Sequence, residues 1–287
     1  MIDGGINMKK GYKGLFTVAI MCFCMFAGGI TVHAERVYET DPNDTKETAQ
    51  LIQANRETAA EAVNGTRTHQ YVVNGYTSTT DDDWYKVYLT AGTQYVNCNG
   101  DAFVFEVYDP NDNLIESGTY AKSGFGSKGY PFEATTAGYY YVKITGTISS
   151  LQNYILGVGD PVYTVAKCEV EFDTVTMANR ADQAVDFDLS LESRLPEDAV
   201  VYMISMNGVR TTTVNSVAVT NGDTDITINL TKYSWDKSGL VSMNLPLKSD
   251  WSIDFGYYKD TTFAPSIILY YAYPVVSEYV DDIVITQ

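Results

Sequence analysis

Asp81-Asp82-Asp83-Trp84-Tyr85-Lys86-Val87-Tyr88-Leu89 is the stretch on which the architecture turns. From Trp84 on, Tyr85, Val87 and Leu89 alternate with Trp84, Lys86 and Tyr88. A period of two is that of a strand, whose successive side chains point to opposite faces. The same alternation recurs on the C-terminal side. Ala102 to Tyr108 places Phe103, Phe105 and Val107 on one face, and Tyr139 to Ile144 is a third run. Ala91-Gly92, Asn99-Gly100, Asp109-Pro110-Asn111 and Ala137-Gly138 supply turn residues between them. Short strands with regular turn signals predict a β-sandwich or barrel. Helical periodicity is expected once, over Thr45 to Gln53, with Asp44 or Thr45 as N-cap.

Gly157-Val158-Gly159-Asp160-Pro161-Val162 reads as a boundary, after which the alternation restarts. Val185, Phe187, Leu189 and Leu191 face one way, against Asp186, Asp188, Ser190 and Glu192. That is a strand with one wet face. Ile226, Ile228 and Leu230 repeat the pattern, as do Val241, Met243, Leu245 and Leu247. Val200 to Ile204 and Ile267 to Tyr271 are continuously apolar and predict central strands. Asn207-Gly208 and Asn221-Gly222 are hairpin signals. The expected fold class is therefore all-β, with two sandwiches in tandem: residues 35–160, then an Ig-like or similar sandwich over 161–287.

The ends and the composition bound the setting. Lys9, Lys10 and Lys13 precede an apolar run from Leu15 to Ile30, and Val32-His33-Ala34 offers small or branched residues for cleavage. This reads as a secretory signal peptide over 1–34, cleaved after Ala34. The run is short for a bilayer span, which needs roughly 20 residues. Met8-Lys9-Lys10 also reads as a more ordinary start than Met1. The chain has 287 residues, 45% of them hydrophobic, with 19 basic against 36 acidic side chains and a net charge of −17. Such a surface repels nucleic acid and anionic membrane, so neither is expected as a primary partner. It suits metal cations or basic patches. Cys22 and Cys24 lie in the leader; Cys98 and Cys168 fall in different sandwiches and are expected as two buried thiols.

Catalytic signatures are scarce. His69 is the one histidine outside the leader, in Thr68-His69-Gln70-Tyr71, and is expected at a strand edge. No Asp-Thr-Gly, His-Glu-x-x-His, Walker or dinucleotide glycine motif occurs. Asp109-Pro110-Asn111-Asp112-Asn113 lacks the glycine and the final glutamate of an EF-hand and reads as a hairpin turn. Paired-carboxylate sugar chemistry has one place to look, Asp254 beside Trp251 and Tyr257-Tyr258, since aromatics platform sugars.

Three motifs in the first half carry a family likeness. The first is Glu39-Thr40-Asp41-Pro42-Asn43-Asp44-Thr45, followed by Ala49. The second is Asp81-Asp82-Asp83-Trp84-Tyr85 with Ala91-Gly92. The third joins Val107-Tyr108-Asp109-Pro110-Asn111 to Ala137-Gly138-Tyr139-Tyr140-Tyr141-Val142. In this order and spacing, Glu39 to Gly159 resembles the bacterial pre-peptidase C-terminal domain, and through it the collagen-binding-type modules of clostridial secreted enzymes. The resemblance implies a jelly-roll-like sandwich that accompanies exported enzymes. It also implies calcium, with Glu39, Asp41, Asn43, Asp44 and Asp83 at the ligand positions. Calcium takes six to eight oxygen ligands, and clustered carboxylates without a cation repel one another. The same residue types also serve as caps and turns. Two positions depart from the family pattern. Thr80 stands where a second carboxylate is wanted, with Asp81 or Asp82 as substitutes, and Thr145 stands where collagen-binding relatives carry an aromatic.

The resulting expectation is a secreted, non-catalytic binding or accessory protein with a calcium-stabilised first module, recognising an extracellular protein or glycan. The alternative is an accessory or chaperone-like subunit of a separately encoded exported peptidase. A glycosidase stands third.

Overall fold

Alternation in sequence becomes alternation in burial. In β4 (Asp82–Leu89), Asp83, Tyr85, Val87 and Leu89 are buried, while Trp84 and Lys86 are half-buried and Tyr88 is exposed. β6 (Phe103–Tyr108) and β9 (Gly138–Gly146) behave alike, burying Phe103, Phe105 and Val107 and then Tyr140, Val142 and Ile144. The computed structural model describes residues 37–65, 71–121, 128–277 and 281–287. The expected signal peptide and His69 lie outside these residues.

The first sandwich is two five-stranded sheets. One runs β1 (Val37–Tyr38), β3 (Val72–Thr77), β10 (Gln152–Gly159), β5 (Gly92–Gly100) and β8 (Lys128–Ala134). The other runs β2 (Gln50–Ile52), β4, β9, β6 and β7 (Leu114–Tyr120). Their facing sides share one core that includes Val96, Cys98, Tyr154 and Leu156 from the first sheet and Tyr85, Phe103, Phe105 and Ile144 from the second. Each fully buried Val, Leu, Ile or Phe side chain among them contributes roughly 1.5–3 kcal/mol. Asp109 closes the β6–β7 hairpin by accepting the backbone N–H groups of Asn111 at 2.8 Å and Asn113 at 2.9 Å. The turn reading of that acidic run is borne out.

The second sandwich sets a larger sheet on a smaller one. The larger runs β17 (Asp236–Ser238), β14 (Val200–Asn207), β21 (Ser266–Pro274), β11 (Tyr163–Glu171) and β22 (Ile283–Thr286), with β18 (Leu245–Pro246) beside β14. The smaller runs β13 (Gln183–Asp188), β19 (Asp250–Tyr257), β15 (Val214–Asn221) and β16 (Ile226–Thr231). β12 (Val175–Met177) and β20 (Thr261–Phe263) pair separately and close one end of the same core. The apolar runs at Val200 and Ile267 do form inner strands of the larger sheet. Cys98 and Cys168 are free, buried thiols in different sandwiches.

Several local expectations fail for visible reasons. Thr45 to Gln53 is no α-helix. A single 3-10 turn, Lys46–Thr48, is closed by the Thr48 hydroxyl donating to the Thr45 carbonyl at 3.1 Å, and the chain then extends into β2. Threonine side chains that bond the nearby backbone compete with helix in this way. Among the described residues the α-helix is α1 (Ala59–Asn64), where Thr58 and Glu61 form a reciprocal capping box and Gly65 ends it at φ +64. Leu191 is 89% exposed, because Ser190 N–H bonds the Asp188 carboxylate at 2.8 Å and turns the chain out of the sheet. Val241 to Leu247 is broken by a 3-10 turn and by Asn244 in the left-handed region at φ +50. Asn207-Gly208 is no hairpin: it passes the chain from β14 in one sheet to β15 in the other.

The two sandwiches meet at a polar joint. Asn55 Nδ2 and Asn97 Nδ2 both donate to the Asp160 carbonyl, at 2.6 and 3.0 Å. Glu57 accepts the Tyr163 N–H at 2.8 Å. α1 leaves the first sandwich to pack on β11 and β21 of the second. Gly129 N–H bonds the Ser277 carbonyl at 3.1 Å, and a Cβ there would lie 2.2 Å from the Val275 carbonyl oxygen. Only glycine lets these backbones approach so closely.

Candidate calcium site and exposed aromatic face

The parity of β4 carries an acid inward. Asp83 shares the face of Tyr85, Val87 and Leu89, so it is fully buried at the mouth of an apolar core. The segment after β1 crosses beside it: the Trp84 N–H donates to the Asn43 carbonyl at 2.8 Å. That contact draws Asn43 fully inside. Glu39 arrives from the end of β1, held by the Tyr76 N–H donating to its carboxylate at 2.8 Å. Asp81 is delivered by a tight turn in which Asp81 N–H bonds Ser78 C=O at 3.3 Å and the Thr77 hydroxyl donates to the Asp81 carbonyl at 2.6 Å.

The polar atoms here are unusually short of partners. Both carboxylate oxygens of Asp83 and both side-chain heteroatoms of Asn43 are buried without a hydrogen bond. The Glu39 carboxyl and the Tyr154 hydroxyl lie close enough to perturb Asp83 without bonding it in normal geometry. Burial first, then the neighbouring Glu39, hold the Asp83 carboxyl far above the usual carboxylate range. Asp81 is raised as well, by burial and by Glu39, Asp41, Asp44 and Asp82. The Tyr85 and Tyr154 hydroxyls bond each other at the floor of the site, and burial pushes both phenols up. Gly75 makes room for this floor, since a Cβ there would lie 2.4 Å from the Tyr154 hydroxyl.

Of the five residues expected from sequence, Glu39, Asn43 and Asp83 converge. Asp41 and Asp44 are exposed, and act on the site through their charge on Asp81. Between the two candidates for the missing carboxylate, the structure separates Asp81 from Asp82. Asp82 points to the other face, bonded by Lys143 at 2.9 Å and by the Thr145 hydroxyl at 2.6 Å. Against a desolvation that pushes upward, those two bonds keep its carboxyl below the usual range. Asp81 is the acid turned toward the cluster. The sequence reading missed Tyr85 and Tyr154 as the floor. They lie 69 residues apart, and no local signal links them. Among the described residues, no three carboxylate, histidine or cysteine side chains stand close enough to hold a metal as they are. The donor set nevertheless suits a hard cation: buried carboxylate and amide oxygens, short of hydrogen-bond partners.

The other face of the β4 sheet is aromatic, half-buried at Trp84, Tyr108 and Tyr141 and exposed at Tyr88, Tyr139 and Leu51. Across it, Trp84 pairs Lys143, Lys86 pairs Tyr141, and Tyr88 pairs Tyr139. Tyr108 pairs Tyr141 from β6, and Leu51 pairs Lys86 from β2. Trp84 and Tyr108 lie 5.3 Å apart, and so do Tyr88 and Tyr139. Lys86 Nζ sits 4.5 Å from the Tyr139 centroid, and Lys46 Nζ 4.2 Å from that of Tyr141. Such cation–π contacts are worth about 0.5–1 kcal/mol at exposed sites.

No family model matches the chain. No curated protein matches it either. Among solved structures, a protein of Eubacterium rectale held to be secreted is 12% identical, at a TM-score of 0.47, over 82% of this chain and 83% of its own. The pre-peptidase C-terminal domain of a Bacillus anthracis collagenase is 16% identical, at 0.28, over 38% of this chain and 93% of its own. The major capsid protein P2 of bacteriophage PM2 is 8% identical, at 0.26, over 71% of this chain and 100% of its own. None of these likenesses says what the chain does.

The sugar-chemistry constellation expected around Asp254 is taken apart by the fold. Trp251 is 2% exposed, stacks on Phe187 and donates its indole N–H to the Leu247 carbonyl at 3.1 Å. Asp254 faces outward on the opposite side of β19, and Tyr257 donates its hydroxyl to Asp260 at 2.6 Å. Residues three apart on a strand look to opposite faces, which separates Trp251 from Asp254. Among the described residues no helix is long and apolar enough to cross a membrane.

Proposed function

We propose that this chain is an exported, non-catalytic binding or accessory protein whose first sandwich is set by a calcium ion at Asp83. The observation that carries the reading is the buried Asp83–Asn43 pair, with four side-chain heteroatoms lacking hydrogen bonds beside Glu39 and Asp81. A buried carboxylate without a partner costs several kcal/mol unless it is neutralised or bound. Glu39, Asn43 and Asp83 would hold the ion, with Asp81 completing the set and Asp41 and Asp44 adding to the negative field. The bound ion supplies charge compensation, so the acids that repel one another in its absence join the segment after β1 to β4. Export accords with the leader expected over residues 1–34, and binding with the exposed aromatic face of the same sandwich.

The test is thermal unfolding of the chain in millimolar calcium and in chelator. Calcium is expected to raise the melting temperature, and Asp83→Asn to abolish that response while leaving a folded protein. Equal melting of the wild type in both solutions would overturn the calcium assignment.

A further inference from the structure

The aromatic face ends in a groove of about 500 Å³ at the edge of the sheet where β2 joins β4. Leu51, Arg56, Tyr71, Tyr88 and Tyr139 line it, and Lys86 lies over the Tyr139 ring. Tyr88 and Tyr139 meet edge to face and are 50% and 44% exposed, and Leu51 is 64% exposed. Apolar surface gathered round a concavity marks an interaction site more often than scattered exposure does.

The charge at this groove runs against the rest of the molecule. The chain carries 36 acidic residues against 19 basic ones, yet the groove holds no acid among its lining residues. Arg56 is exposed, and among the described residues it makes no hydrogen bond or ion pair; Lys86 has no carboxylate partner either. The neighbouring lysines differ: Lys46 pairs with Asp112 and Lys143 with Asp82. Two unneutralised cations therefore flank the exposed ring pair in an otherwise acidic protein. A neutral ligand needs neither, and a cationic one would be repelled by both.

We infer that the Tyr88–Tyr139 groove is a binding site for an acidic saccharide, its rings meeting the sugar C–H faces and Arg56 and Lys86 meeting the carboxylate or sulfate. The three tyrosine hydroxyls around the groove match sugar hydroxyls as donors and acceptors. An acidic peptide is the competing ligand. Extended peptides gain most of their affinity by adding to a free strand edge. Here the flanking edge strand, β2, has only three residues, and the groove opens on side chains. The site lies toward the far end of β9 from Thr145: Thr145 is six positions beyond Tyr139, about 20 Å along a strand. This inference rests on reading the chain as an extracellular binding module, but not on the calcium ion.

The experiment is affinity electrophoresis and titration calorimetry of the chain with oligogalacturonate and heparin oligosaccharides, with cello-oligosaccharide and oligoglutamate as controls. All are run in calcium and in chelator. Binding of at least one acidic saccharide is expected, weakening as salt rises. It should fall roughly tenfold or more in Arg56→Gln and be lost in the Tyr88→Ala/Tyr139→Ala double variant, with circular dichroism unchanged. No binding of either acidic saccharide overturns the inference. So does binding that the double variant retains, or oligoglutamate binding as tight as the saccharide's. Saccharide binding by a protein that melts alike in calcium and chelator would overturn the calcium reading and leave this one standing.

Discussion

The two sandwiches solve the same packing problem with different materials. Among the described residues, nine of the buried polar or charged side chains belong to the first sandwich and its joint: Asn43, Asn55, Glu57, Thr77, Ser78, Asp83, Gln94, Asn97 and Gln152. The second buries only Thr164, Asn221 and Ser249. Of these, Asn221 holds a loop, donating to the Pro246 carbonyl at 3.0 Å and accepting the Thr224 N–H at 3.1 Å; the Trp235 indole N–H and the Tyr271 hydroxyl are buried there without a partner, but they are single neutral groups rather than a cluster with a carboxylate. Asp83 and Asn43 in the first have no such employment. A buried polar group that the fold itself leaves unsatisfied is a cost, and such costs gather where something else binds. On the function proposed above, the first sandwich is the one that meets an ion and a ligand, since only there is a carboxylate among the unsatisfied buried groups.

This contrast can be broken in several ways. The largest effect should come from Trp251→Ala, which empties a fully packed site and should cost about 3–5 kcal/mol. Calcium should not restore that loss, and chemical denaturation with and without the ion checks it. If calcium rescues Trp251→Ala as well as it stabilises the wild type, the sandwiches do not differ as described. Chelation comes next. At calcium about 100-fold above its dissociation constant, the ion should add about 2.7 kcal/mol. Hydrogen exchange should place that protection in β3, β4 and β10, leaving β19 and β21 unchanged.

A smaller effect separates the buried acid from the others by pH. In chelator, the Asp83 carboxyl has a folded pKa raised above its unfolded value near 4. The fold then binds a proton that the unfolded chain has released. The stability that this group contributes is full below about pH 4 and is lost as pH rises toward the raised value. Asp83→Asn should flatten that decline, measured as denaturation midpoints from pH 4 to 8, and an unchanged slope would count against the burial. At the joint, Gly129→Ala should cost about 1–3 kcal/mol by overpacking against the Val275 carbonyl, and should speed proteolysis between the sandwiches. The smallest change is expected from Leu51→Ser on the exposed edge, within about 0.5 kcal/mol of the wild type.

The local alternation of polar and apolar residues was legible wherever a strand has one wet face. β4, β6, β9, β13 and β16 could be drawn from Tyr85, Phe103, Tyr140, Phe187 and Ile228 with their neighbours two residues away. The acids of the candidate site were legible as residue types but not as an arrangement. Asp81, Asp82 and Asp83 are one run in sequence, yet they have three fates. Asp83 goes inward by strand parity. Asp82 turns outward to Lys143. Asp81 is held at the turn by Thr77.

What this sequence determined by itself is the all-β class and the inward faces of strands such as β4, β6 and β9, because period-two patterning acts between residues that are chain neighbours; the free thiols were legible because Cys98 and Cys168 fall in different sandwiches. Tertiary structure alone decided that Tyr85 and Tyr154 floor the acid site, that Arg56 and Lys86 stand beside Tyr88 and Tyr139 without a carboxylate partner among the described residues, and that Trp251 is core rather than platform. These depend on which strands are brought side by side. That choice is made by the shared burial of two whole sheets, and no local run of residues encodes it.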